Sequence, residues 1–287
     1  MALNVPTFFK RLGSSVVFVA IMLTGLLWNE WSFLALVCLI NALCLRDFFR
    51  LMQKIVPGIY WPRWLPALTQ GICIASFLTV ATLNAAWYGN DHLYLFATIS
   101  SYLGYLWVLL PVIPAFIMLS GFLSEKMFFQ AMLLSIGGLL YITVPMFMLL
   151  HMCAQDFLLP LVLTIMIWSN DTMAYLVGSF FGKHPFSPIS PKKTWEGTIG
   201  GAAITIIAAG AIGHYTHKFR IVDWMALALC ATVAGTFGDL LESKLKRIAD
   251  VKDSGNLMPG HGGALDRFDS LLIAIPFAFV YVIYFMK

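Results

Sequence analysis

Apolar runs recur along this chain from one end to the other, and nothing else in the sequence limits its fold as strongly. "SSVVFVAIMLTGLL", "WSFLALVCLINALCL" and "LLIAIPFAFVYVIYFM" are three of them. A helix that crosses a bilayer needs about 20 mostly apolar residues. Hydrocarbon offers no hydrogen bonds, so the backbone of such a segment must satisfy itself. Of the 287 residues, 60% are hydrophobic and 11% charged, against roughly 45–50% and about 25% in soluble domains. The expected class is an all-α polytopic membrane protein. Nine spans are predicted, at residues 12–28, 31–45, 65–86, 93–120, 127–150, 157–181, 197–213, 221–238 and 269–286. The second is short, which leaves a re-entrant or interfacial placement open. The fourth is long, and Pro111 and Pro114 predict a kink in it. Lys10 and Arg11 before the first run imitate a secretory signal, but no clear cleavage site follows, and a retained helix is expected.

The basic residues test this layout, because cytoplasmic loops collect Lys and Arg. With the N-terminus inside, 15 of the 18 basic residues fall on the cytoplasmic side and 3 outside. The five cysteines lie in or beside apolar runs without a CxxC pair, which argues against a disulfide framework or a zinc site. Most acidic residues lie between Asp171 and Asp269. Residues 1–155 therefore read as a transmembrane scaffold and 156–287 as a transmembrane catalytic region of one membrane unit.

Three clusters break the apolar background, all on the predicted cytoplasmic side. In "WSNDTMAYLVGSFFGK", Asn170 and Asp171 sit inside an apolar segment, where an ionised carboxylate is costly and usually functional. The competing reading is a structural partner for a basic residue on a neighbouring helix. In "HPFSPISPKKTWEGTIGG", three prolines make a stiff, non-helical approach. Thr194 is then a candidate N-cap, and Gly197, Gly200 and Gly201 permit close helix packing. Lys192 and Lys193 beside a helix N-terminus suit a phosphate, although taken alone this segment reads better as a positive-inside anchor.

The third cluster is the densest. Ten of the 32 charged residues fall in the 28 positions from Glu242 to Asp269. Asp239 precedes them at the end of the eighth span, and Asp266 lies just before the ninth. Carboxylates are hard oxygen ligands suited to Mg²⁺, which is usually held by one or two of them plus substrate phosphates. The lysines and arginines read as the other half of a polyphosphate clamp. "PGHGG" offers backbone N–H groups that an anion can approach. A solvated loop with internal ion pairs is the bland alternative. His214 and His217, spaced i, i+3, have no further metal ligand nearby in sequence.

"SKLKRIADVKDSGNLMPGHGGALDRFDS" closely resembles the signature of phosphatidate cytidylyltransferases, also called CDP-diacylglycerol synthases. The matching residues are Ser243, Lys246, Arg247, Lys252, Asp253, Pro259, His261, Gly262, Gly263, Asp266, Arg267 and Asp269. The other two clusters resemble that family in the same order, so the likeness covers roughly residues 166–272. Met258 and Ala264 depart from it only by exchanging one apolar residue for another. The resemblance implies the reaction CTP + phosphatidate → CDP-diacylglycerol + pyrophosphate, dependent on Mg²⁺ and with room for a second cation. It implies metal ligation by Asp239 and Asp266, and phosphate neutralisation at the catalytic centre by Lys246, Arg247, Lys252 and Arg267. Asn170, Asp171, Lys192, Lys193, Thr194, Glu196, Ser243, Asp253, His261, Gly262, Gly263 and Asp269 would bind or support the substrates. CTP, phosphatidate and membrane lipid are the expected partners, with no nucleic acid, and family members are often homodimers. A bacterial inner membrane with the site facing the cytoplasm is the expected location. A CTP-transferase for another lipid phosphate keeps the chemistry unchanged. A transporter using Asp171 and Asp239 as an ion path belongs to a different class, and the missing inverted repeat speaks against it.

Overall fold

The computed structural model of the protein describes residues 5–58, 69–71, 74, 77, 126–255, 257 and 262–286. The predicted fourth span, most of the third, and His261 lie outside the described residues. Two compact units form, one from Met1–Ala154 with Asp253–Leu265, the other from Gln155–Lys252 with Asp266–Lys287. Among the described residues, six helices are long and apolar enough to cross a membrane, and Val16–Leu27 is a shorter apolar helix. The protein is an integral membrane protein.

The first unit contains α1 (Val5–Leu27), α2 (Glu30–Ile55) and α3. Asn29 turns the chain between the first two. Its Oδ1 accepts the Ser32 N–H at 2.7 Å, and its own N–H donates to Ser32 Oγ at 3.0 Å, a reciprocal cap. The second predicted span is therefore not short. The helix runs through "RDFFRLMQK" to Ile55, since no breaker appears before Pro57 and Gly58. Helix α3 runs from Lys126–Gly138 through a π-helical turn at Leu139–Thr143 into Val144–Gln155. Pro145, which has no N–H to give an α-helical bond, lies two residues after that turn. Gly138 lets α3 approach α2 so closely that a Cβ there would lie 3.1 Å from the Phe48 ring. Thr143 Oγ1 donates to Asn41 Oδ1 across the same joint at 3.0 Å.

The second unit contains α4 (Leu158–Phe181), a hairpin of β1 (Pro185–Ser187) and β2 (Ser190–Thr194), α5 (Trp195–Thr216), α6 and, from Asp266 on, α7 (Leu265–Tyr284). Helix α6 runs from Ile221–Leu229 through a π-helical turn at Cys230–Ala234 into Gly235–Ile248. Both α6 and α7 exceed the predicted spans. "ESKLKR" forms the last turns of α6 rather than a loop, and Asp266 stands in the first turn of α7 rather than before it. An amphipathic helix end carries polar residues without breaking, so hydropathy alone cuts it short.

Helix α5 shows how lipid inverts the usual packing rule. Its buried stripe is Gly197, Gly201, Thr205, Ala209 and Gly213, while Ile199, Ile204, Ile207 and Ile212 are exposed. Lipid tails are as apolar as isoleucine, so helices associate through small residues that let backbones meet. A Cβ on Gly201 would lie 2.6 Å from the Ala174 nitrogen in α4, and one on Gly213 would lie 2.5 Å from the Trp224 ring in α6. Gly238 does the same for α6 and α7, with Ser270 Cα at 3.0 Å.

Candidate active site

The site grows from three close joints in the second unit. Thr194 caps α5 as expected, its Oγ1 accepting the Gly197 N–H at 3.1 Å. One residue into the helix, Glu196 accepts the backbone N–H groups of Lys183 and His184 at 3.1 and 3.2 Å and meets His184 Nδ1 at 2.5 Å. The hairpin is thus tied at both ends, and it delivers the Lys193 ammonium to the Asp239 carboxylate. Lys192, beside it, points into the open.

On α6, Asp239, Glu242, Ser243 and Lys246 recur at i, i+3, i+4 and i+7, one face of a helix. Ser243 Oγ donates to Asp239 Oδ1 at 3.1 Å. The Lys246 ammonium donates to Asp266 Oδ1 at 2.7 Å and pairs with the fully buried Glu242. The contact between Gly238 and the Asp269 backbone brings α7 alongside, and Asp269 itself is buried. Its carboxylate lies within electrostatic reach of Asp239, Asp171 and Lys246, and Asp171 within reach of Lys193 and Asp239. Asn170, next to Asp171, is buried, and its Oδ1 finds no donor among the described residues.

Among the described residues, five carboxylates (Asp171, Asp239, Glu242, Asp266 and Asp269) gather with two lysines, Lys193 and Lys246, which pair with three of them. Gathering like charges away from bulk water is costly unless a counter-charge arrives. Hard oxygen donors in such excess suit a Mg²⁺ ion that shares its shell with phosphates. Among the described residues, no group of three His, Cys, Asp or Glu side chains is placed to hold a metal by itself. Asp239 and Asp266 each face a lysine instead of a common centre. The donor chemistry fits a cation whose remaining ligands come from substrate.

Other predicted residues stand apart from this cluster. Arg247, Lys252 and Arg267 are exposed on the second unit. Asp253, Gly262 and Gly263 belong to the first unit. Gly262 has φ 81°, the left-handed conformation that glycine adopts at no steric cost. The amides that follow it do hold an anion, but the anion is the chain's own Asp47. Asp47 Oδ2 accepts the Ala264 N–H at 2.6 Å and the Leu265 N–H at 3.4 Å.

Sequence reasoning missed two residues. Glu242 was legible only once α6 was allowed to continue past residue 238. Asp47 was legible as an acid on the buried face of α2, with Cys44, Phe48 and Leu51, while Arg46 and Arg50 point outward. At the far end of the unit, His214 and His217 stand with ring centroids 6.1 Å apart, and no third metal-binding side chain joins them among the described residues. Of the described cysteines, Cys44 is buried and Cys38, Cys153 and Cys230 are half-buried.

Comparison with known proteins places this geometry. The model of the cytidylyltransferase family matches residues 9–285. The phosphatidate cytidylyltransferase of Bacillus subtilis is 48% identical over 118 residues, 40% of this chain and 44% of that protein. The phosphatidate cytidylyltransferase of Haemophilus influenzae is 41% identical over 128 residues, 42% of this chain and 44% of that protein. The Staphylococcus aureus protein of the same name is 45% identical over 115 residues, 39% of this chain and 44% of that protein. The aligned part thus spans less than half the length of these relatives. The chain belongs to the cytidylyltransferase family.

Proposed function

We propose that this member of the cytidylyltransferase family converts CTP and phosphatidate to CDP-diacylglycerol and pyrophosphate. The carrying observation is the convergence of Asp171, Lys193, Asp239, Glu242, Lys246, Asp266 and Asp269 at one end of the second unit. The names of the relatives supply the substrate class.

A phosphatidate oxygen attacks the α-phosphorus of CTP, the bond to the bridging β-phosphate oxygen breaks, and pyrophosphate leaves with the electron pair. The nucleophile is anionic at neutral pH, so no strong base is required. What the site must supply is charge neutralisation and alignment of two polyanions. Asp239 and Asp266 are the residues that would hold Mg²⁺, and the ion when bound would neutralise the triphosphate and the departing pyrophosphate. Lys193 and Lys246, relieved of their carboxylates, would turn to phosphate oxygens. Arg247, Lys252 and Arg267 are placed to receive anions from solvent. Asn170 offers an unsatisfied amide oxygen beside Asp171, suited to a hydroxyl or amino donor of substrate. The basic residues of the cytoplasmic loops support a site that faces the cytoplasm of a bacterial inner membrane. A homodimer is expected from the family, and cross-linking in native membranes tests it.

The decisive experiment follows label from CTP, carried on its α-phosphate, into a chloroform-soluble product with phosphatidate and Mg²⁺. Label that vanishes with Asp266→Asn and with EDTA supports the reading. No label from folded protein given phosphatidate in mixed micelles rejects it.

A further inference from the structure

The corner where α5 hands over to α6 gathers donors that the reaction proposed above does not use. Helix α5 has 22 residues and is therefore about 33 Å long, close to the thickness of a bilayer's hydrocarbon core. Thr194 and Glu196 stand at its start, beside the candidate active site, so its other end lies a membrane's breadth away. There His217 ends the helix in the left-handed conformation, with φ 52°. The chain then passes through Lys218 and Phe219 to Arg220, the residue that opens α6. A recess of about 460 Å³ forms at this corner, and Gly213, His214, His217, Lys218 and Arg220 line it. Ligand sites span roughly 300–1,000 Å³.

The two bases of the recess are paired from behind. Lys218 Nζ meets Asp156 Oδ1 at 3.0 Å and Oδ2 at 2.7 Å, and it lies 5.3 Å from the centre of the Phe157 ring. The Lys218 side chain is 37% exposed against 17% for Asp156, and Arg220 is 54% exposed against 0% for Asp223. Both acids thus stand on the protein side of their bases, and the outward face of each pair is cationic. Asp223 and the Phe285 carbonyl use Arg220 Nε and Nη2, while Nη1 meets no acceptor among the described residues. The imidazoles of His214 and His217, with centroids 6.1 Å apart, hydrogen-bond to no described residue. Two imidazoles beside an ammonium and a guanidinium make a poor seat for a metal ion, because like charges repel. The same N–H donors suit an oxyanion.

We infer that this recess binds a phosphoryl anion through Lys218, Arg220 Nη1 and the two imidazoles, at the membrane face opposite the candidate active site. Basic pockets between spanning helices take lipid headgroups in this way, and free phosphate presents the same oxygens. The inference does not depend on the cytidylyl-transfer reading, since none of these residues belongs to that site.

The test reads the recess itself, in the full chain held in phosphate-free dodecyl maltoside micelles. Diethyl pyrocarbonate modifies accessible imidazoles, and mass spectrometry of the peptide carrying His214 and His217 gives the rate. One arm adds phosphatidylglycerol, a second adds inorganic phosphate at matched ionic strength, and a third adds diacylglycerol, which has the chains but no phosphoryl group. An anion that fills the recess should slow modification of both rings about fivefold or more, while diacylglycerol should leave the rate unchanged. Lys218→Gln should lose most of this protection, and Lys218→Arg should keep it. Protection by phosphatidylglycerol alone identifies a lipid headgroup as the ligand. Protection by inorganic phosphate as well identifies the phosphoryl group as sufficient, with the free anion a ligand in its own right. Equal rates in all arms overturn the inference, as does protection by diacylglycerol equal to that by phosphatidylglycerol. So does a folded Lys218→Gln protein, judged by size exclusion, that is protected like the wild type.

Discussion

The two ends of the α6–α7 pair bury acids in opposite ways. At one end, Asp223 is fully buried and well supplied with donors. Arg220 gives it Nε and Nη2 at 3.0 Å each and its backbone N–H at 3.2 Å, and the Tyr281 hydroxyl adds a bond of 2.7 Å. Arg220 reaches on to the Phe285 carbonyl at 3.0 Å, tying the start of α6 to the end of α7. Its guanidinium is held above even its usual pKa by the hydrogen bonds and charge of Asp223. At the other end, five carboxylates gather with two lysines among the described residues. The helices and the surrounding lipid are the same, so burial of charge does not distinguish a structural site from a functional one. Imbalance does.

Four measurements would sharpen or break this contrast. Asp239→Asn should lower transfer by about 10³-fold, as removal of one electrostatic anchor of a transition state does, with the folded protein retained in size-exclusion profiles. A mild effect would make the acid end structural. Asp223→Ala should instead cost about 3 kcal/mol of stability, because it leaves the Arg220 and Tyr281 donors unpaired. The surviving folded fraction should transfer at the normal rate, as read by thermal inactivation beside an initial-rate assay. Mg²⁺ at about 30 times its dissociation constant should stabilise the wild type by about 2 kcal/mol and leave Asp239→Asn unmoved in the same melt. Equal shifts in both would remove Asp239 from the cation's reach. Arg220→Lys should cost about 1 kcal/mol, since an ammonium cannot reproduce the two-pronged contact with Asp223. Denaturation of that variant in mild detergent would read it.

Local features of this architecture were legible in the sequence. The Thr194 cap, the small-residue face of α5 and the helical class follow from patterns a few residues long. Helix limits were less so: α2, α6 and α7 each run past their apolar segments, because a helix continues through "RDFFRLMQK" or "ESKLKR" for want of a breaker. The pairing of acids with lysines was out of reach. Lys193 and Asp239 meet only in the fold, where Gly197 and Gly201 set α5 against α4 and Gly213 sets α5 against α6. Asp47 shows the same limit more sharply. "PGHGG" was read as offering its own amides to an anion, whereas the amides seen to meet one are those of Ala264 and Leu265 just after it, and the anion is Asp47.

The π-helical turn at Cys230–Ala234 sets the angular relation between the two ends of α6. At about 100° per residue, the 19 positions from Asp223 to Glu242 would leave those two acids pointing about 100° apart on an uninterrupted α-helix. The extra residue taken up by the wider turn removes roughly that much rotation, so both acids look toward α7. Inserting one residue between Ala234 and Asp239 would keep the helix and its hydropathy almost unchanged. It would still swing the lower half of α6 by about 100° like a misaligned key, turning Asp239, Glu242 and Lys246 away from the helix they serve.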